Sequence, residues 1–210
     1  MRKLGFKTAH DYFEGTLRWW SDYLDEVLES DRLVTHTAER HEILDTSVLR
    51  LSALWEMLVH RDLLSCVNRD SSALSKSLGL RLPKHLSRDL CEGVLFGTRY
   101  LDFRSVRDLQ LFAKRHLTAR CNVFAHIPRG AVDQIDNFFV IRNLVSHYSS
   151  FAERSYDRML KTEYGFERGR APGDFLIARE NKPGRPRRIF RFLDAFRSAS
   201  QAMRSAAEKI

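Results

Sequence analysis

An arginine, an amide and a histidine lie within one short, mostly apolar segment, residues 138–148. Between Arg142-Asn143 and His147 the chain places only two apolar residues and Ser146. A guanidinium keeps its charge and offers paired donors to a phosphate, whereas an imidazole gains and loses a proton near neutral pH. Together these groups have the chemistry needed to act on a phosphodiester without a metal ion.

The spacing of the apolar residues predicts that this segment is a helix with one stripe facing the core. That stripe comprises Phe138, Ile141, Val145 and Tyr148. Asn143 and His147 are four residues apart and share a face, and Ser146 falls between Arg142 and His147. The polar residues should therefore form one patch beside the stripe. Arginine and histidine on a helix are more commonly surface residues or hydrogen-bonded core residues, so spacing alone leaves both interpretations open.

Residues 142–147 resemble the signature of the HEPN superfamily, in which four to six residues separate an arginine from a histidine and a polar residue often follows the arginine. Residues 52–58, with Trp55 beside Glu56, resemble the apolar helix with an aromatic residue and a glutamate in standalone HEPN nucleases. The resemblance covers roughly residues 35–165. It implies an all-α, HEPN-like helical bundle in which the motif opens a late helix.

The resemblance also implies an activity, namely metal-independent cleavage of RNA by attack of a 2′-hydroxyl on the adjacent phosphate. Arg142, Asn143 and His147 would be the catalytic residues, with Ser146 and Tyr148 in support. Members of this family usually pair two motif helices across a dimer. Since each chain offers one such histidine and the reaction uses both an acid and a base, we expect a homodimer. Many relatives are toxins or antiviral defence effectors, so an antitoxin or another regulatory protein is an expected partner.

Glu56 lies within an apolar helical face, where a carboxylate without a partner would be costly. One interpretation is that it reaches Arg142 or His147 and orients the site. The other is an ordinary ion pair with Arg50, Arg61 or His60. The sequence does not decide between them.

A second function class stays open, namely a noncatalytic HEPN-like module that binds RNA, a nucleotide or a partner protein. Other site types lack their signatures. The histidines and cysteines show no metal-ligand spacing, and no Gly-rich phosphate loop or serine or cysteine nucleophile motif is present. We therefore expect neither a metal ion nor a cofactor.

The composition predicts a packed globule with a basic surface. Lys and Arg number 35 against 27 Asp and Glu, a net charge of +8 that favours polyanionic partners such as RNA. The three cysteines are widely spaced, and no run is long and apolar enough to span a bilayer. These features favour the reducing cytoplasm and no membrane association.

Three regions follow from the apolar periodicity. Residues 1–33 should form an amphipathic helix with an acidic side. A solvated face is the preferred interpretation of this side, and an intramolecular or intersubunit contact with the basic C-terminal region is the alternative. Residues 34–165 should form the helical bundle, with a loop over 71–88 and the motif helix running from 131 to about 160. Residues 166–210 should add a basic loop and a C-terminal helix that packs on the bundle.

Within this last region, residues 175–179 and 188–192 could pair as a short β-hairpin. Residues 182–188 resemble the Gly-Arg-Pro core of an AT-hook, although a plain basic loop is the preferred interpretation. In either case Arg185, Arg187 and Arg188 are the candidate RNA-binding residues.

Overall fold

The computed structural model describes residues 5–29, 37–97, 103, 105–166, 169–179 and 186–210. Within these ranges the regular elements are helices, joined by short connections, with one 3₁₀ turn at Val123–His126 and one isolated antiparallel bridge between Arg179 and Arg187. The helices are α1 (Lys7–Leu28), α2 (Thr37–Arg69), α3 (Ser72–Leu78), α4 (Arg88–Phe96), α5 (Val106–His116), α6 (Arg129–His147), α7 (Ser150–Tyr164), α8 (Pro172–Ile177) and α9 (Arg188–Ala207). The predicted all-α class is confirmed.

The long helices form where the apolar spacing predicts them, and local side chains fix some of their ends. The Ser105 hydroxyl accepts a hydrogen bond from the Asp108 backbone N–H at 3.0 Å, which is the predicted start of α5. The predicted loop over 71–88 is wrong in part, since it contains α3. This helix ends at Gly79, whose φ of +66° is a left-handed conformation that glycine adopts without steric cost.

The predicted β-hairpin is wrong. Residues 175–177 lie in α8 and residues 188–192 open α9. Pro172 occupies the start of α8, where its fixed φ suits a helix and its missing N–H costs nothing. Short apolar runs have no distinctive period, so burial in the core rather than local pattern decides their conformation.

The motif lies at the end of its helix, so the expectation that it opens one is wrong. The helix that was predicted to continue to about residue 160 stops at His147. Tyr148 has a left-handed φ of +43°, and the Ser149 hydroxyl then caps α7 by accepting from the Ala152 N–H at 3.2 Å. This break leaves His147 in an exposed last turn instead of mid-helix.

The motif helix α6 packs against α2 and α9 at the centre of the bundle. Ring contacts connect the three helices, with centroids 5.0 Å apart for Phe138 and Phe196 and 5.4 Å apart for Trp55 and Phe196. The C-terminal helix α9 is thus part of the main core. Because α6 is packed against a helix on each of two sides, its last turns are held in a fixed position.

A buried polar network ties α1 to the bundle. His10 Nδ1 lies 2.8 Å from Ser200 Oγ, and His10 Nε2 lies 3.0 Å from Asp62 Oδ2. The Ser200 hydroxyl donates to Glu14 Oε1 at 3.0 Å. Although serine, histidine and aspartate follow one another as in a hydrolase triad, His10, Asp62 and Ser200 are 0% exposed, so no substrate reaches them. The network therefore cross-links α1, α2 and α9.

The acidic side of α1 contacts basic residues from the C-terminal region. Arg204 pairs with Asp11 at 2.9 Å, and Arg187 pairs with Glu29 at 2.6 Å. Arg187 lowers the pKa of Glu29 through its hydrogen bond and its charge. At these positions the acidic side makes intramolecular contacts, which is the alternative to the preferred solvated face.

The described helices include none whose length and hydropathy would suit a membrane span. Cys66, Cys91 and Cys121 are buried free thiols. Burial raises the pKa of Cys91 to about 11, so this thiol stays protonated at neutral pH and is a poor nucleophile.

Candidate functional site

Arg142 is held by two neighbours at the surface between α2 and α6. Its Nη1 donates to Asn143 Oδ1 at 3.1 Å, and its Nη2 lies 3.4 Å from Glu56 Oε1. The Arg142 side chain is 24% exposed. A guanidinium fixed on one side and open on another can still present donors to an anion.

Glu56 reaches the motif from α2. Its carboxylate pairs with Arg142, which is one of the two interpretations left open by the sequence, and its side chain is 23% exposed. A partly exposed pair contributes only modestly to stability. It does restrict where the guanidinium points, which matters more for a site than for the fold.

His147 and Ser146 lie in the exposed last turn of α6. Within the described part of the chain, the structure gives the exposed His147 ring no hydrogen bond or ion pair. Five residues of α-helix advance about 7.5 Å and turn about 140° beyond one full turn. Arg142 and His147 of one chain therefore point in different directions, with Asn143 between them.

Tyr148 does not belong to the core stripe as predicted. Phe138, Ile141 and Val145 are buried, but the Tyr148 side chain is 70% exposed because the helix ends before it. Its hydroxyl donates to Asp45 Oδ2 at 3.3 Å, and burial raises the pKa of that carboxyl above its usual value. Tyr148 is thus a surface residue at the end of the motif, anchored to α2.

The basic residues nominated for RNA binding have different surroundings. Arg185 lies outside the described residues. Besides its pair with Glu29, Arg187 donates to the Leu28 carbonyl at 3.2 Å. Arg188 is buried and donates to the Phe175 carbonyl at 3.1 Å. Arg187 and Arg188 therefore support the fold, and RNA binding by this segment stays a prediction.

The Arg188 guanidinium lies against an aromatic cluster. It is 4.9 Å from the ring centroids of both Phe166 and Phe175 and 5.9 Å from that of Tyr164. Burial lowers the pKa of Arg188 from its usual high value. These cation–π contacts help to explain why an arginine is tolerated at the buried start of α9.

A cavity of about 520 Å³ adjoins the motif, between α2, α4 and α5. Its walls include the rings of Trp55, Phe96, Phe103 and Phe139, and Glu56 borders it. No motif in the sequence predicted this cavity. The lining residues Glu92 and Phe96 lie beside Gly93 and Gly97, and this short sequence has no pattern that predicts a cavity.

Among the described residues, no group of three histidine, cysteine or acidic side chains is placed to hold a metal ion. Comparisons with protein-family models, with curated proteins and with solved structures each gave no match to this chain.

Proposed function

We propose that the chain is a metal-independent endoribonuclease of the HEPN type that acts in the cytoplasm. The observation that carries this proposal is the placement of Arg142, steadied by Asn143 and Glu56, on the same exposed helix end as an unengaged His147. The net positive charge supports a polyanionic substrate. A toxin or antiviral defence effector, restrained by an antitoxin or another regulatory protein, is the corresponding biological role.

In the proposed reaction, a histidine takes the proton from a 2′-hydroxyl, and the 2′-oxygen then attacks the adjacent phosphorus. The bond from phosphorus to the 5′-oxygen breaks, and that oxygen takes a proton from an acid. The products are a 2′,3′-cyclic phosphate and a 5′-hydroxyl. The Arg142 guanidinium stabilises the charge on the five-coordinate phosphate.

One chain supplies one motif histidine, whereas the reaction uses a base and an acid. Because Arg142 and His147 of a single helix diverge by about 140°, two copies facing each other assemble the groups around one phosphate more readily than one copy does. Tyr148 and Phe151, which are 70% and 73% exposed, supply apolar surface beside the motif. We therefore propose a homodimer with the two motif helices near the twofold axis.

Purified protein should cut single-stranded RNA in excess EDTA and leave cyclic phosphate ends. A matched RNA with a 2′-deoxy sugar at the cleavage site should stay intact, because the nucleophile is missing. Gel electrophoresis and mass spectrometry of the fragments measure both outcomes. Cleavage that depends on added magnesium contradicts the mechanism, and binding without cleavage favours the noncatalytic module.

The charged substitution Phe151→Asp should convert the dimer to monomers and reduce cleavage, because it places a carboxylate in the proposed apolar contact. Leu111→Asp is the matched control, since Leu111 is 68% exposed and lies on α5, a helix that does not carry the motif. Light scattering and RNA cleavage are measured on both variants. A wild-type protein that is monomeric at the concentration at which it cleaves RNA rules out the composite site.

A further inference from the structure

We infer that the cavity beside Glu56 holds an unpaired guanine base of the RNA, with Glu92 as its specificity-determining residue. This inference rests on the proposed function, because it concerns the base next to the phosphate bound at Arg142. It adds a substrate preference to a site that otherwise recognises only the RNA backbone.

The position of the cavity is the first argument. Glu56 lines the cavity and also contacts Arg142 Nη2 at 3.4 Å. Phe139 lines the cavity from α6, one helical turn before Arg142. When a phosphate binds at Arg142, the base of the adjoining nucleotide is separated from it by one sugar. That base therefore lies within reach of the cavity.

The walls are the second argument, since they suit a flat ring. Five of the thirteen described lining residues carry rings, and those of His60 and Phe96 stack at 4.3 Å with an interplanar angle of 20°. Burial lowers the pKa of His60, so its imidazole is neutral at neutral pH. Proteins bind unpaired RNA bases by stacking them on such side chains. The cavity volume of about 520 Å³ lies within the range of about 300–1,000 Å³ that is usual for small-molecule sites.

The charge of the lining is the third argument. Among the described lining residues, those with charged side chains at neutral pH are Glu56 and Glu92. Glu56 is engaged by Arg142, whereas Glu92 pairs with Arg88 at 3.0 Å in an exposed contact within α4. An exposed pair of this kind is weak, so Glu92 can turn to a ligand at little cost.

Guanine is the base that matches a carboxylate. A carboxylate only accepts hydrogen bonds, through two oxygens. The Watson–Crick edge of guanine offers two adjacent donors, N1–H and the N2 amino group. The corresponding edges of adenine, cytosine and uracil each place an acceptor beside the donor, and that acceptor would face a carboxylate oxygen. Glu92 should therefore select guanine over the other bases.

Binding is tested with the His147→Ala protein, so that the RNA stays intact. The probes are labelled pentanucleotides of uridine with guanosine, inosine or adenosine at the centre, and fluorescence anisotropy gives the dissociation constants. Guanosine should bind most tightly. Inosine lacks the N2 amino group and one hydrogen bond to a charged acceptor, so it should bind about tenfold to a hundredfold more weakly.

Two variants address the cavity directly. Glu92→Gln presents an amide donor to the donors of guanine and should remove the preference for guanosine. Gly93→Leu should obstruct the cavity, because Gly93 lines it and an added Cβ meets no atom within 4 Å, so the new side chain has room where it leaves the backbone. Asp89→Asn, which removes an exposed carboxylate outside the lining of the same helix, should keep the preference. Thermal unfolding of each variant verifies the fold.

The outcomes separate this inference from the proposed function. RNA cleavage without any preference near guanine, or equal binding of guanosine and adenosine, overturns the base site and leaves the nuclease proposal standing. A guanosine preference that is lost in Glu92→Gln supports the base site even if the wild-type protein proves unable to cleave RNA. A preference that survives both Glu92→Gln and Gly93→Leu overturns the assignment to this cavity.

Discussion

Replacing His147 with alanine should abolish RNA cleavage while the protein stays folded. Proton transfer by a positioned side chain contributes about 10²–10⁴-fold to a rate, so cleavage should fall by at least that factor. The imidazole is exposed and has no hydrogen bond or ion pair with the described residues. Its removal should therefore change the free energy of unfolding by less than about 0.5 kcal/mol.

The matched control is His126→Ala, which removes another exposed imidazole, at the end of the 3₁₀ turn. This variant should cleave RNA at the wild-type rate. Single-turnover cleavage and urea unfolding are measured on both proteins. If His147→Ala retains cleavage, or loses it only by unfolding, His147 is not the proton-transfer group.

The sequence predicted the motif helix and its helical surroundings because these depend on regular apolar spacing. Phe138 and Ile141 are buried at the predicted stripe, and the Phe196 ring of α9 contacts both Phe138 and Trp55. The contact between Glu56 and Arg142 was one of two alternatives. Residues 86 positions apart meet only through the packing of α2 on α6, so no local pattern could decide it.

Prediction from the sequence was wrong where a helix-capping signal interrupted the apolar spacing. It was also wrong where the burial of a residue depended on segments that are distant along the chain. Tyr148 continues the stripe in its spacing, yet the serine pair after it begins a new helix and ends the old one first. Arg188 was assigned to a basic surface because its neighbours along the chain are basic. Its aromatic cluster comes from Tyr164, Phe166 and Phe175, which become its neighbours only in the folded chain.

The buried contact between His10 and Asp62 should give the largest stability effect of any single substitution discussed above. The Ser200 hydroxyl donates to Glu14, so His10 Nδ1 must donate to Ser200. One further proton is then shared between His10 Nε2 and Asp62, which makes the pair neutral overall. His10→Ala leaves the Asp62 carboxyl buried without that partner, and the free energy of unfolding should fall by about 3–5 kcal/mol at neutral pH.

The pH dependence of this loss distinguishes charge from packing. Burial raises the pKa of Asp62, so in His10→Ala the folded state favours the neutral acid. The destabilisation caused by burying the Asp62 carboxyl is present at neutral pH, where this carboxyl is ionised in the unfolded chain. It disappears as the pH falls below about 3.9, the ordinary pKa of an aspartate. In urea unfolding, the difference in unfolding free energy between wild type and His10→Ala should therefore narrow on acidification.

The double variant His10→Leu/Asp62→Leu, which removes both polar groups, should unfold at higher urea than His10→Ala at neutral pH. If instead the double variant is the less stable, or the gap does not depend on pH, the loss in His10→Ala reflects packing and not a buried charge.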